Sequence, residues 1–132
     1  MNNAVVLDAS ALLTLIQNEP GAATVEAAII QGKAIISAVN FSEVISKLAE
    51  GGMSVTSLES FAVQLPVEVI DFNAAMALEA GLLRLSTRQL GLSLGDRACL
   101  ATAKALDNLP VMTANRAWGD LKLDLLITLI RT

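Results

Sequence analysis

The chain has 132 residues, a length that suits one domain spanning 1–132 around a single core. Its one cysteine cannot close an internal disulfide, and the absence of histidine rules out the common zinc clusters and Ser-His-Asp triads. A formal net charge of −4 argues against attraction to a polyanion through bulk charge, so any phosphate contact must be local.

The N-terminal residues Met1-Asn2-Asn3 carry no basic group and lead into Ala4-Val5-Val6-Leu7, a short apolar run that predicts a core strand rather than an export signal. Asp8 ends that strand, and residues 10–17 suit a helix that Ser10 could cap. A second helix is predicted over residues 22–31 and a second buried strand over 34–39, with a helix following from about residue 40 to the Gly51-Gly52 pair. A short helix over 54–64 stops at Pro66, and a third strand follows at 67–70. Asp71 or Asn73 caps a helix to about residue 85. After a turn at 91–93 comes a helix over 94–106, then a fourth strand at 111–113 and a fifth within 125–130. Strands that are short, continuously apolar and alternate with helices predict an α/β fold with a parallel sheet covered on both faces.

The longest stretch without a charge is the ten residues from Ala9 to Asn18, too short for the roughly 20 apolar residues of a membrane span, so a soluble chain is expected. Hydrophobic residues make up 54% of the chain and aromatics only 3%. That aliphatic surplus exceeds what one small core hides, which predicts a subunit or partner interface.

Ligands of open α/β sheets sit beyond the carboxyl ends of the strands. Polar residues just after the apolar runs are therefore the candidates: Asp8, Glu43, Asp96 and Asn115. Carboxylates gathered without basic neighbours repel, and at neutral pH a divalent cation relieves them. Oxygen donors without His or Cys favour Mg2+ or Mn2+, and such ions serve phosphodiester hydrolysis. Each residue also has a plainer role. Asp96 stands three residues after Ser93 and could complete a capping box; Glu43 could be a solvated helix residue; Asn115 could close a turn. Asp8, set among aliphatic neighbours, is the hardest to explain as a solvated side chain. Arg97 and Arg116 adjoin two of the candidates and could grip phosphate, as could the Ser10 hydroxyl, although Arg97 could equally lie on the helix surface.

Four segments occur in order: Val5-Val6-Leu7-Asp8-Ala9-Ser10, Phe41-Ser42-Glu43-Val44, Leu92-Ser93-Leu94-Gly95-Asp96-Arg97-Ala98-Cys99-Leu100, and Val111-Met112-Thr113-Ala114-Asn115-Arg116-Ala117-Trp118. Together they resemble the signature blocks of VapC-type PIN domains, and the resemblance spans nearly the whole chain. It implies a PIN-like three-layer fold with a five-stranded parallel sheet flanked by helices. It further implies Mg2+- or Mn2+-dependent cleavage of RNA, homodimerisation, and neutralisation by a VapB-type antitoxin, with a higher assembly in its company; that substrate and the lack of a predicted export signal lead one to expect a cytoplasmic chain. Mapped by motif, Asp8, Glu43 and Asp96 take the places of three metal-binding acids. Asn115 falls where the family generally has an Asp. Asn supplies a neutral carbonyl oxygen and no charge, so a second metal would be held less firmly. Asp120, five residues on, could supply the missing charge or be a solvated loop residue.

Two other readings stand beside this one. In the first, the chain is a catalytically impaired PIN-like module that binds partners. In the second, Asp8 accepts a phosphoryl group, as acids at the end of a first strand do in some phosphatases and receiver domains. That chemistry normally uses a Lys after a later strand, where this chain has Asn115-Arg116.

Overall fold

The computed structural model describes residues 4–131. Its five strands are β1 (Ala4–Leu7), β2 (Lys33–Ser37), β3 (Glu68–Ile70), β4 (Val111–Thr113) and β5 (Ile127–Leu129). The six α-helices are α1 (Ala9–Ile16), α2 (Ala22–Gln31), α3 (Ala38–Glu50), α4 (Val55–Gln64), α5 (Ala74–Ser86) and α6 (Leu94–Ala105). Short 3-10 turns at Arg88–Leu90 and Arg116–Asp120 complete the chain; the sequence pattern does not predict either.

All strand pairings are parallel, in the order β3-β2-β1-β4-β5. The chain therefore builds outward from β1 through β2 to β3, then returns to the other side of β1 for β4 and β5. That reversal makes the gap between β1 and β4 a topological switch point, where the connections leave in opposite directions and open a crevice.

The central strand is buried on both faces, and its alternation sorts side chains between two cores. Ala4 and Val6 join Leu100, Val111 and Trp118 on one side, under α5 and α6. Val5 and Leu7 join Leu12, Val25, Val44 and Leu48 on the other, under α1, α2 and α3. This gives the three layers and the five-stranded parallel sheet that the sequence leads one to expect. Among the described residues no helix is long and apolar enough to cross a membrane.

One local difference from the sequence expectation, and one choice it left open, have simple causes. The second strand stops at Ser37 rather than 39, because the Ser37 hydroxyl accepts from Val39 N–H at 3.1 Å and starts α3 two residues early. This brings Asn40 inside the first turn of α3. Of the two candidate caps before α5, Asn73 takes the role, its side-chain oxygen accepting from Met76 N–H at 2.9 Å. Gly21, at φ +105°, packs against the backbone of Ile130, where a Cβ would collide with a carbonyl oxygen. That contact fastens the head of α2 to the strand that ends the sheet.

Candidate active site

At the carboxyl end of β1, Asp8 is only 4% exposed and is the N-cap of α1. Its Oδ1 accepts from Ala11 N–H at 2.8 Å and from the Ser10 hydroxyl at 2.7 Å, and its Oδ2 accepts from the Thr113 hydroxyl at 2.6 Å. Ser10 therefore does not cap the helix, as its sequence position suggests. Its oxygen instead accepts from Ala114 N–H at 2.9 Å, tying α1 to the strand end of β4. Thr113, fully buried at the last position of β4, is a site residue that the sequence reading does not single out. The available signal is a polar residue ending a buried strand two positions before Asn115.

Helix α3 supplies Glu43 and helix α6 supplies Asp96, and the two helices meet at Gly95. A Cβ at Gly95 would overlap both carboxylate oxygens of Glu43, so this position accepts no side chain while Glu43 holds its place. The Asn40 side-chain amide donates to Glu43 Oε1 at 2.8 Å and to the Gly95 carbonyl at 2.9 Å. Asp96 sits at the head of α6 and completes a capping box: its Oδ2 accepts from Ser93 N–H at 2.9 Å while the Ser93 hydroxyl accepts from Asp96 N–H at 3.1 Å. Capping and presentation toward a cavity are compatible here, because the bond engages only one carboxylate oxygen.

These side chains line a cavity of about 230 Å3, together with Ala9, Ser10, Leu13, Asn40, Lys47 and Asn115. The structure thus brings Asp8, Ser10, Glu43, Asp96 and Asn115 to one place. Asn115 is exposed, and its side-chain oxygen accepts from Ala117 N–H at 3.1 Å, the geometry of a turn. Arg97 points elsewhere: its guanidinium donates to the Ala80 carbonyl on α5 at 2.9 Å. Neither Arg97 nor Arg116 lines the cavity, whereas Lys47, one turn beyond Glu43 on α3, does. Asp120 lines a different cavity, with Leu85, Thr87 and Leu123. A larger cavity, about 780 Å3, lies at the opposite end of the strands against α2. No ionisable side chain lines it.

Burial pushes the Asp8 carboxyl from the ordinary 3.8 up to about 6, opposed by the bonds from Thr113, Ser10 and Ala11 and reinforced by the charge of Asp96. The Cys99 thiol beneath the site is also pushed well up, first by burial and then by the charges of Asp8, Asp96 and Glu43. Among the described residues none of the three acids is in an ion pair. Neither Glu43 Oε2 nor Asp96 Oδ1 has a hydrogen-bond donor among the described residues. An all-oxygen donor set with uncompensated charge and free lone pairs fits a hard divalent cation in kind. No group of three or more acidic, His or Cys side chains among the described residues is gathered tightly enough to hold an ion as it stands. The cavity is a set of donors around a space rather than a closed cage.

The chain belongs to the PIN domain family, whose pattern it matches over residues 5–122. Members of that family are typically nucleases. Solved structures share its fold at low identity. VapBC2 from Rickettsia felis, bound to a promoter DNA fragment, is 18% identical with a TM-score of 0.72, over 95% of this chain and 97% of that one. VapBC-1 from nontypeable Haemophilus influenzae is 20% identical with a TM-score of 0.72, over 96% and 98%. DNA-bound VapBC from Salmonella typhimurium is 19% identical with a TM-score of 0.69, over 98% and 99%. No curated protein matches the sequence.

Proposed function

We propose that this single-domain chain is a metal-dependent endoribonuclease, a hydrolase of RNA phosphodiester bonds, and that it is the toxin of a type II toxin–antitoxin pair acting in the cytoplasm. The observation that carries the reading is the convergence of Asp8, Glu43 and Asp96 on one cavity at the switch point, with no cation paired to any of them among the described residues. Asp8, Glu43 and Asp96 would hold Mg2+ or Mn2+, with the Asn115 carbonyl as a neutral donor. A bound divalent ion supplies activated water at neutral pH and stabilises the leaving oxygen. Ser10 and Thr113 orient the Asp8 carboxylate by donating to its two oxygens. Lys47, the cation lining the cavity, meets the RNA backbone there, which reconciles an acidic protein with a polyanionic substrate. In-line displacement would leave a 5′ phosphate and a 3′ hydroxyl.

A VapB-type antitoxin as partner is supported by the neighbouring folds, which were solved as VapBC complexes. A homodimer is supported by α5, where Leu78, Leu82 and Leu85 form a stripe exposed to 66%, 53% and 66%. Light scattering should find two copies per particle for the isolated chain and one for Leu82→Glu.

The discriminating experiment is incubation of antitoxin-free protein with total bacterial RNA, wild type beside Asp8→Asn, with Mg2+, Mn2+ or EDTA. Cleavage that disappears with EDTA and in the variant supports the nuclease. Absence of cleavage by folded wild type supports the catalytically impaired partner-binding module, a reading favoured by one observation: the Asn115 oxygen is engaged in a turn and brings no charge. In that case Asn115→Asp should restore metal binding.

A further inference from the structure

Asn40 is 1% exposed, lines the acid cavity and spends both protons of its amide on oxygens. One goes to Glu43 Oε1 at 2.8 Å and the other to the carbonyl of Gly95, the residue before Asp96, at 2.9 Å. Its own Oδ1 is buried with no partner among the described residues. Stability alone does not account for this arrangement, since the two bonds the amide donates come with a buried side-chain carbonyl that has no donor, a cost that an apolar side chain of the same size avoids. The N–H side of the amide is the part in use.

We infer that Asn40 is the positioning residue of the site: it fixes Glu43 against Gly95, sets the spacing between Glu43 and Asp96, and leaves Glu43 Oε2 as the oxygen free of protein donors. The inference rests on the proposed metal-dependent function and deepens it. An amide suits the task because it offers two donors to two acceptors on different helices and adds no fourth charge to the acids. An Asp at this position would face two acceptors with none. Gly95 completes the device, since only a residue without a side chain lets the Glu43 carboxylate rest against the α6 backbone.

The test is a double-mutant cycle read by calorimetric titration of Mn2+ alone into the purified full chain. Asn40→Ala and the nearly isosteric Asn40→Leu are compared in the wild-type background and in a Glu43→Ala background. Acting through Glu43, each substitution weakens Mn2+ binding about 10- to 100-fold in the first background and less than about twofold in the second. The melting temperature of the Asn40→Leu protein falls less than that of Asn40→Ala, because the nearly isosteric side chain leaves no cavity while removing the orphaned carbonyl. Equal losses in both backgrounds, wild-type binding by the Leu variant, or melting temperatures that fall in both variants in step with binding would each overturn the inference alone. Wild-type protein that neither binds Mn2+ nor cleaves RNA would overturn the proposed function and this inference with it.

Discussion

At the head of α1, Asp8 is buried, receives two hydroxyl bonds and one backbone bond, and its carboxyl is raised to about 6. At the head of α6, Asp96 is only partly buried and receives a single backbone bond through its capping box. Asp8 caps its helix, Asp96 closes the capping box of Ser93, and both line the same cavity. The difference lies in solvent: Asp96 keeps water against its charge, whereas Asp8 has exchanged most of its hydration for three donors that do not fully replace it. A capping position therefore orients a carboxylate toward a cavity, and burial decides how much that carboxylate costs the empty site.

The largest expected effect erases the comparison. Asp8→Asn and Asp96→Asn should each reduce RNA cleavage below about one thousandth of wild type, because groups that act as a unit fail together. A gel assay at saturating Mn2+ checks this, and substantial activity in either variant would remove that acid from the site. Gly95→Ala should lower cleavage about 10- to 100-fold while folding normally, since the new methyl displaces the Glu43 carboxylate and alanine favours the helix. Wild-type activity in this variant would show that Glu43 has room to move without consequence.

Stability should separate the two acids in sign. With metal removed at pH 7, Asp8→Asn relieves a charge whose burial, from 3.8 to about 6, corresponds to a penalty of up to ~3 kcal/mol, so denaturant midpoints should rise. Asp96→Asn should lower stability by about 0.5–1 kcal/mol through loss of the first-turn charge that completes the capping box. The same contrast governs pH. Asp8 holds its proton more tightly folded than unfolded, so its contribution is fully present below pH 3.8 and is lost as pH rises toward about 6. Metal-free wild type should show this fall across the window when measured against Asp8→Asn, which lacks it. Identical profiles would mean that Asp8 is better solvated than its burial indicates.

The smallest effects concern the basic side chains. Lys47→Ala should raise KM for RNA a few-fold and reduce the salt dependence of binding by about one contact. Arg97→Ala should leave RNA affinity nearly unchanged and cost stability instead, since its guanidinium bonds the Ala80 carbonyl between α5 and α6. A reversed outcome for this pair would place the RNA track on the α5 side of the molecule.

Sequence alone determined the α/β class, most element boundaries and which acids to consider as candidates. Each of those rests on local pattern: Val5-Val6-Leu7 before Asp8, or Ser93 three residues before Asp96, reads the same in any fold that buries aliphatic runs in a sheet. Strand order, the placement of Asn40, Thr113 and Lys47 around the acids, and the aim of Arg97 were decided only by tertiary structure. Asn40 and Gly95 are 55 residues apart, and Asp8 and Thr113 are 105 apart. Whether such polar groups meet depends on which way β4 returns beside β1 and how α3 crosses α6. A guanidinium next to Asp96 in sequence turned away for the same reason: on a helix, adjacent residues face different directions, and the Ala80 carbonyl lay within reach of the side that Arg97 took.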